Sequence, residues 1–289
     1  MRYEITYEST YRYSAPVVGN FNRLRMRPAT EGTQRCEHFD VSVEPGPDRL
    51  ATYIDLFGNE VTELLVAAPT QRLRIQVDAT VATTDPMPPP DGPWTEVLDQ
   101  GYRQIAGAYR YHPIASLHEN AELAPLVKEV RGGTPAETLR NVVRVVHDRF
   151  RYESGVTDAH TTTPEFVRLG AGVCQDFAHL SLALLRSHDL GARYVSGYFF
   201  TSPDGPDGES AEVQTHAWVE ALLPVEGDGE PVWFAVDPTN AIVAGRDHVK
   251  IGTGRHYADV SPVEGTFSGD AESSVESHVS MRRMAATLT

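Results

Sequence analysis

A chain of 289 residues is long enough to bury a substantial core in one large domain or two modest ones. Its 40 acidic residues against 25 basic ones leave a net charge of −15, which argues against nucleic acid and anionic membrane surfaces as partners. Only Lys128 and Lys250 are lysines, so the chain offers few amines for crosslinking to itself.

The start Met1-Arg2-Tyr3-Glu4-Ile5 carries no apolar signal segment and no apolar run reaches membrane length, so a soluble, unexported, cytoplasmic protein is expected. The two cysteines, Cys36 and Cys174, point the same way: pairing them would silence either thiol, and a reducing compartment avoids it.

In chain order, Tyr3, Ile5 and Tyr7 alternate with polar residues, as do Leu73, Ile75, Val77, Ala79 and Val81; this is the period of half-buried strands. Gly58-Asn59 separates two apolar runs and reads as a hairpin turn. Residues 1–84 are therefore expected to form a small β-sandwich domain. Residues 85–93, with five prolines, read as a stiff linker. Helical patterns follow at 94–109, 119–130 and 135–150, the last with Thr134 as cap, Pro135 in the first turn and Glu137 three residues after the cap. The run from Cys174 to Leu185 has no breaker, is apolar nearly all round, and reads as a buried helix. Strands are predicted at 192–200, 212–223 and 231–237. The polar loop 202–210 reads as a surface hairpin loop, with a substrate-covering flap as the alternative. Past residue 241 the signals are sparse, apart from a returning strand at 277–281. The fold class expected is α+β, with a nucleophile helix packed on an antiparallel sheet within residues 94–289, behind the N-terminal β-domain.

Three residues in this frame carry chemistry. Cys174 follows Gly170-Ala171-Gly172-Val173, where the glycines allow a tight loop, and it opens the buried helix; a helix N-terminus and a neighbouring imidazolium both favour the nucleophilic thiolate. His216 lies in the strand ending at Pro224, on the same face as Trp218, and Asp237 lies at the end of the strand stopped by Pro238. If these strands pair, His216 and Asp237 meet across one sheet edge as a base and its orienting group. Singly, each has a plainer explanation: a small buried hydrophobe, a satisfied strand histidine, a turn starter. Together they point to one site. His179, five residues along the helix from Cys174, points away from it and reads as core or support, and Asp176 in the first turn reads as helix support. A metal site from Cys174, Asp176, His179 and His188 is the competing arrangement, but its spacing fits no paired-ligand signature.

Gly-Val-Cys-Gln-Asp-Phe-Ala-His at 172–179, Tyr-Val-Ser-Gly-Tyr at 194–198, His-Ala-Trp-Val-Glu at 216–220 and Asp-Pro-Thr-Asn at 237–240 resemble the bacterial transglutaminase-like superfamily. Weaker likenesses at 23–28, 53–59 and 254–263 extend the resemblance over nearly the whole chain. It implies a papain-like catalytic triad of Cys174, His216 and Asp237, attack on an amide carbonyl, and a thioester released to water or to an amine. A peptide or protein substrate, no metal and no cofactor are the matching expectations, and family analogy adds a functional link to ATP-grasp ligase-like proteins. The backbone N–H of Cys174 is expected to be one oxyanion donor; for the second, Gln175, Tyr152, Tyr198 and Trp218 compete. A cysteine hydrolase, an acyl transferase joining glutamine to amines, and a silent binding module are the three functional readings, with hydrolysis preferred because water is abundant and no amine-recognition element is visible.

Overall fold

The structure, a computed structural model, describes residues 1–110, 119–201, 208, 210–227 and 229–285. Five strands open the chain: β1 (Arg2–Leu24), β2 (Gln34–Glu44), β3 (Arg49–Ile54), β4 (Glu60–Val66) and β5 (Thr70–Thr83). The long β1 serves two sheets in turn. Its first half, with Tyr3, Ile5 and Tyr7 buried in alternation, pairs with β5; past an irregularity between Arg12 and Val17, its second half pairs with β4. The β3–β4 hairpin turns where Gly58-Asn59 predicts it: Asp55 Oδ1 accepts from the backbone N–H groups of Phe57 and Asn59, and Gly58 takes the left-handed φ of 85°.

Residues 84–93 carry no regular structure, and Gly92 N–H tethers the run to the carbonyl of Pro224. The expected helix at 94–109 is broken into α1 (Trp94–Val97) and α2 (Gln100–Ala106), because Asp99 takes an extended backbone and caps the second piece through Gly101 N–H at 2.6 Å. The helix expected at 119–130 starts only at α3 (Ala124–Val130), since Asn120 Oδ1 accepts from Glu122 and Leu123 N–H and holds that stretch as a turn. α4 (Pro135–Arg149) matches its prediction, with Thr134 Oγ1 accepting from Glu137 N–H at 3.2 Å.

The remaining elements are β6 (Arg151–Tyr152), α5 (Thr163–Leu169), β7 (Ala171–Gly172), α6 (Cys174–Arg186), β8 (Ala192–Phe199), β9 (Ser210–Val213), β10 (Thr215–Leu223), β11 (Val232–Asp237), β12 (Ile242–Val243), β13 (His248–Gly254), β14 (Val263–Ser268) and β15 (Ser273–Arg283). An antiparallel sheet in the order β12-β11-β10-β8-β13 carries α6 on one face, and Phe177, Leu180 and Leu184 are buried there among Val219, Ala221 and the residues of α4. The fold is thus α+β, with the cysteine-bearing helix on an antiparallel sheet.

Two expectations about chain organisation differ from the structure. The predicted strand 212–223 is two strands: Val213 pairs with Val279 of β15, Thr215 pairs with Tyr198 of β8, and the chain changes sheets at Gln214. The C-terminal residues expected to belong with 94–289 return to the first region instead. β15 pairs with the first half of β1 from Tyr3↔Arg283 to Tyr13↔Ser273, and β14 pairs with its second half. The reason is hydrophobic: Val279 and Met281 complete the core in which Tyr3, Tyr7 and Val77 are buried. Most of the loop 202–210 lies outside the described residues. Among the described residues no helix is long and apolar enough to cross a membrane.

Candidate active site

The thiol is mounted by a short, tightly packed approach. α5 ends at Gly170, whose φ of 68° lets its N–H close on the Phe166 carbonyl at 2.9 Å, and the chain then runs through β7 with Tyr152 of β6 alongside Gly172. A Cβ on Gly172 would stand 2.5 Å from Asp176 Oδ2 and 2.9 Å from the Phe166 ring, so only glycine fits. Asp176 Oδ2 accepts from Val173 N–H at 2.9 Å and from the Thr157 hydroxyl at 2.7 Å, closing the first turn of α6; burial raises its carboxyl above the ordinary value. Cys174 is the first residue of that helix and is half-buried; both it and Cys36 are free thiols.

His216 is the second residue of β10, and Asp237 the last of β11, where Pro238 ends the strand. His216 Nε2–H donates to Asp237 Oδ2 at 2.7 Å, which leaves Nδ1 as the ring nitrogen available to the neighbouring Cys174. Burial opposes charge on this imidazole, but the hydrogen bonds and charges of Asp237 and Cys174 outweigh it and push His216 up to about 9. Trp218, two residues on, lies beneath at 6.1 Å between ring centroids and is 2% exposed. It needs Gly197 on the neighbouring strand: a Cβ there would stand 2.4 Å from the indole and 2.1 Å from the Val249 carbonyl. The structure therefore brings Cys174, His216 and Asp237 together, with the imidazole hydrogen-bonded to the carboxylate and in electrostatic contact with Cys174.

The carboxylate of Asp237 is fully engaged. Oδ1 accepts from the backbone N–H groups of Thr239 and Asn240 at 2.9 and 3.2 Å, and Oδ2 accepts from Asn240 Nδ2 at 2.7 Å and His248 Nε2 at 3.2 Å besides His216. Burial would raise this carboxyl, yet the donors hold it well below the usual carboxylate range. The tautomer of His248 is set by Gly245 N–H, which donates to its Nδ1 at 3.3 Å and leaves the proton on Nε2 for Asp237. Burial lowers this second histidine, so it acts as a neutral donor, stacked on Phe199 at 4.4 Å. Neither His248 nor Asn240 was singled out by its sequence position alone. Asn240 carried one signal, the turn chemistry that follows Pro238; His248 carried none, because β13 reaches the site only through its pairing with β8.

Ligand atoms of His216, Asp237 and His248 lie within 4.8 Å of one another, the only such group among the described residues. A cation there would have to take both imidazole hydrogen bonds from Asp237. The competing set Cys174, Asp176, His179 and His188 is not assembled: His179 Nε2 accepts from Tyr257 N–H at 3.2 Å, and His188 Nε2 faces the Val127 carbonyl at 3.0 Å. Of the four residues weighed as second oxyanion donor, Gln175 Nε2 donates to the Ala159 carbonyl at 3.4 Å, Tyr198 is buried in the β-region core, and Trp218 lies under the histidines. Tyr152 stands out. It is 54% exposed, sits beside Gly172, and its hydroxyl is raised by burial and then by the charge of Cys174.

Comparison with known proteins agrees with this architecture. Residues 3–82 match the profile of the bacterial transglutaminase-like N-terminal region, and residues 124–238 match that of the transglutaminase-like superfamily. An uncharacterized protein of Mycobacterium tuberculosis is 32% identical over 292 residues, covering 95% of this chain and 90% of its own length. One of Mycobacterium leprae is 29% identical over 291 residues, covering 98% and 99%. A crystal structure from Cytophaga hutchinsonii, named as a candidate cysteine protease, superposes with a TM-score of 0.74 at 23% identity, over 100% of this chain and 92% of that one. At that identity the likeness is one of fold.

Proposed function

Because the chain belongs to the transglutaminase-like superfamily, we propose that it is a cysteine-dependent amide hydrolase with Cys174 as nucleophile, His216 as acid and base, and Asp237 as the group that orients His216. The observation that carries this reading is the His216 imidazole, hydrogen-bonded at 2.7 Å to a buried carboxylate and raised, against burial, by Asp237 and the neighbouring Cys174.

At neutral pH His216, raised to about 9, already carries a proton on Nδ1, and the Cys174 sulfur attacks the amide carbonyl carbon as the thiolate beside that imidazolium. The carbonyl oxygen gains negative charge opposite the N-terminus of α6, where the Cys174 N–H has no intrahelical acceptor. The Tyr152 hydroxyl is taken as the second donor: it is exposed on the strand paired with Gly172, two residues before Cys174, and a phenol is protonated at neutral pH. As the tetrahedral species collapses, the C–N bond breaks, His216 gives its proton to the leaving amine, and a thioester remains. A water then loses its proton to His216 and attacks the thioester; the acid leaves, and Cys174 is released as the thiolate beside the reprotonated His216. Asp237 stays ionised throughout, since its donors stabilise the carboxylate more than burial disfavours it.

The test compares the protein with its Cys174→Ala variant on a peptide library, with and without an amine probe, followed by mass. Cleavage by the wild type that the variant lacks is the expected outcome. Probe incorporation lost in the variant moves the reading to acyl transfer, and identical products from both remove the catalytic reading.

A further inference from the structure

A cavity lies between the two regions of the chain, next to the elements that carry the site. It has a volume of 790 Å³, toward the upper end of ligand pockets and roomy enough for several residues of a polypeptide. Its floor is the inner face of β1 and β15, where Tyr7 pairs with Val279 and Tyr11 with Val275. One wall is the crossover segment from Glu212 to Thr215, and Thr215 directly precedes His216. The opposite wall includes Tyr257, which packs on Tyr194 at 6.3 Å between ring centroids; the Tyr194 hydroxyl in turn lies in the field of Cys174. One wall of the cavity therefore ends at Thr215, one residue before His216, and the floor runs out over the β-region.

A second observation says what kind of molecule fits. β9 covers the outer edge of β15 only from Val279 to Arg282, because the chain leaves that sheet at Gln214. From Ser273 to His278, β15 is exposed and has no strand on that side among the described residues. An unpaired row of N–H and C=O groups is a template for adding a strand, and here it continues the line of β9 along the cavity. The rim carries Glu212 and His278, and Glu276 lies on β15 between the lining residues Val275 and Ser277; the two carboxylates flank His278 at 3.4 and 3.5 Å.

Resting on the hydrolase reading above, we propose that this cavity is the groove for one arm of the substrate, and that the substrate is an extended, non-acidic polypeptide segment. Main-chain pairing with Ser273–His278 holds the arm as an added strand, the floor of Tyr7, Tyr11 and Val275 takes alternate side chains, and the acidic rim disfavours Asp and Glu. The β-region is then part of the substrate site.

The experiment uses the full chain carrying Cys174→Ala, which cannot turn over substrate, and fluorescein-labelled peptide libraries four and ten residues long, with Asp and Glu either allowed or left out. Ten-residue peptides without acidic residues are expected to bind at least about tenfold tighter than four-residue ones, and N-methylation at alternate backbone positions to abolish the gain. Val275→Glu, at an exposed floor position, is expected to remove the same gain. Equal binding at both lengths, or a gain untouched by Val275→Glu, overturns the groove. If short amides are cleaved without any length effect, the groove fails and the hydrolase reading stands. Binding that depends on length and on Val275 without cleavage by the wild type keeps the groove and removes hydrolysis.

Discussion

Asp237 and Glu220 are both buried on neighbouring strands of one sheet, 0% and 5% exposed, and both are held ionised against burial. Their partners differ in kind. Burial raises Glu220, but the charges of Lys250 and Arg193 and their hydrogen bonds, at 2.8 and 2.5 Å, bring it down to about 2. Glu31 closes that cluster on the outside by pairing with both cations. Asp237 faces no permanent cation among these partners: its charge is spread over two backbone amides, one side-chain amide and two imidazoles. A fixed ion pair locks segments together, here the 31–34 loop onto β8, β10 and β13. A carboxylate held by neutral donors and a titratable ring can instead lend its charge to that ring, and His216 is the ring that gains.

The largest effect that would break this contrast is catalytic. Asp237→Asn keeps the shape but presents an amide to His216, and kcat is expected to fall by about 10³- to 10⁴-fold, with stability in urea at pH 7 lowered only by the roughly 2 kcal/mol that the supported imidazolium contributes. A variant that unfolds while retaining kcat per folded molecule would make Asp237 the structural member of the pair. Glu220→Gln is expected to do the reverse: it leaves Arg193 and Lys250 buried with half their counter-charge, destabilising by about 3 to 5 kcal/mol in urea unfolding with kcat per folded molecule unchanged.

The parts of the site that could be read from the chain are those marked by local punctuation. Gly172 precedes α6, and Pro238 ends β11, so Cys174 and Asp237 could be put at element ends by neighbours within two residues. His216 sits in a strand whose apolar content is visible, although the break at Gln214 is not, since both halves have strand composition and only long-range pairing separates them. His248 and the return of β15 were out of reach for the same reason. β15 buries only Val279, Met281 and Arg283 of its eleven residues, so its N-terminal half shows no period-two signal at all. The break in the 94–109 helix was a matter of competition: Asp99 prefers to cap, and no periodicity count registers that preference.

Tyr152 sharpens the distinction between charge and neutral donor from the other side of the thiol. If it donates to the oxyanion, Tyr152→Phe removes a transition-state hydrogen bond and nothing else, so kcat is expected to drop about 10²-fold while KM and stability hold. Single-turnover acylation rates are the measurement, because they isolate the step in which the oxyanion forms. Wild-type acylation by Tyr152→Phe would leave the Cys174 N–H as the donor that matters.

The smallest effect follows from the sign of the two shifts. His216 is raised from 6.5 to about 9, so its contribution to stability is complete below pH 6.5 and is lost as pH rises through 9. Between pH 7 and 9 the loss is about 2 kcal/mol by linkage. Glu220 is lowered from 4.5 to about 2, so its contribution is complete above pH 4.5 and is lost only as pH falls toward 2. Wild-type urea midpoints should therefore decline across the alkaline window, and those of Asp237→Asn should be flatter there, since the amide no longer supports the imidazolium. Glu220→Gln should keep the full alkaline decline and lose part of the acid-side dependence. A variant pair with the same slope in both windows would mean that the two carboxylates share one electrostatic field, and that the division between the fixed cluster and the responsive one is not real.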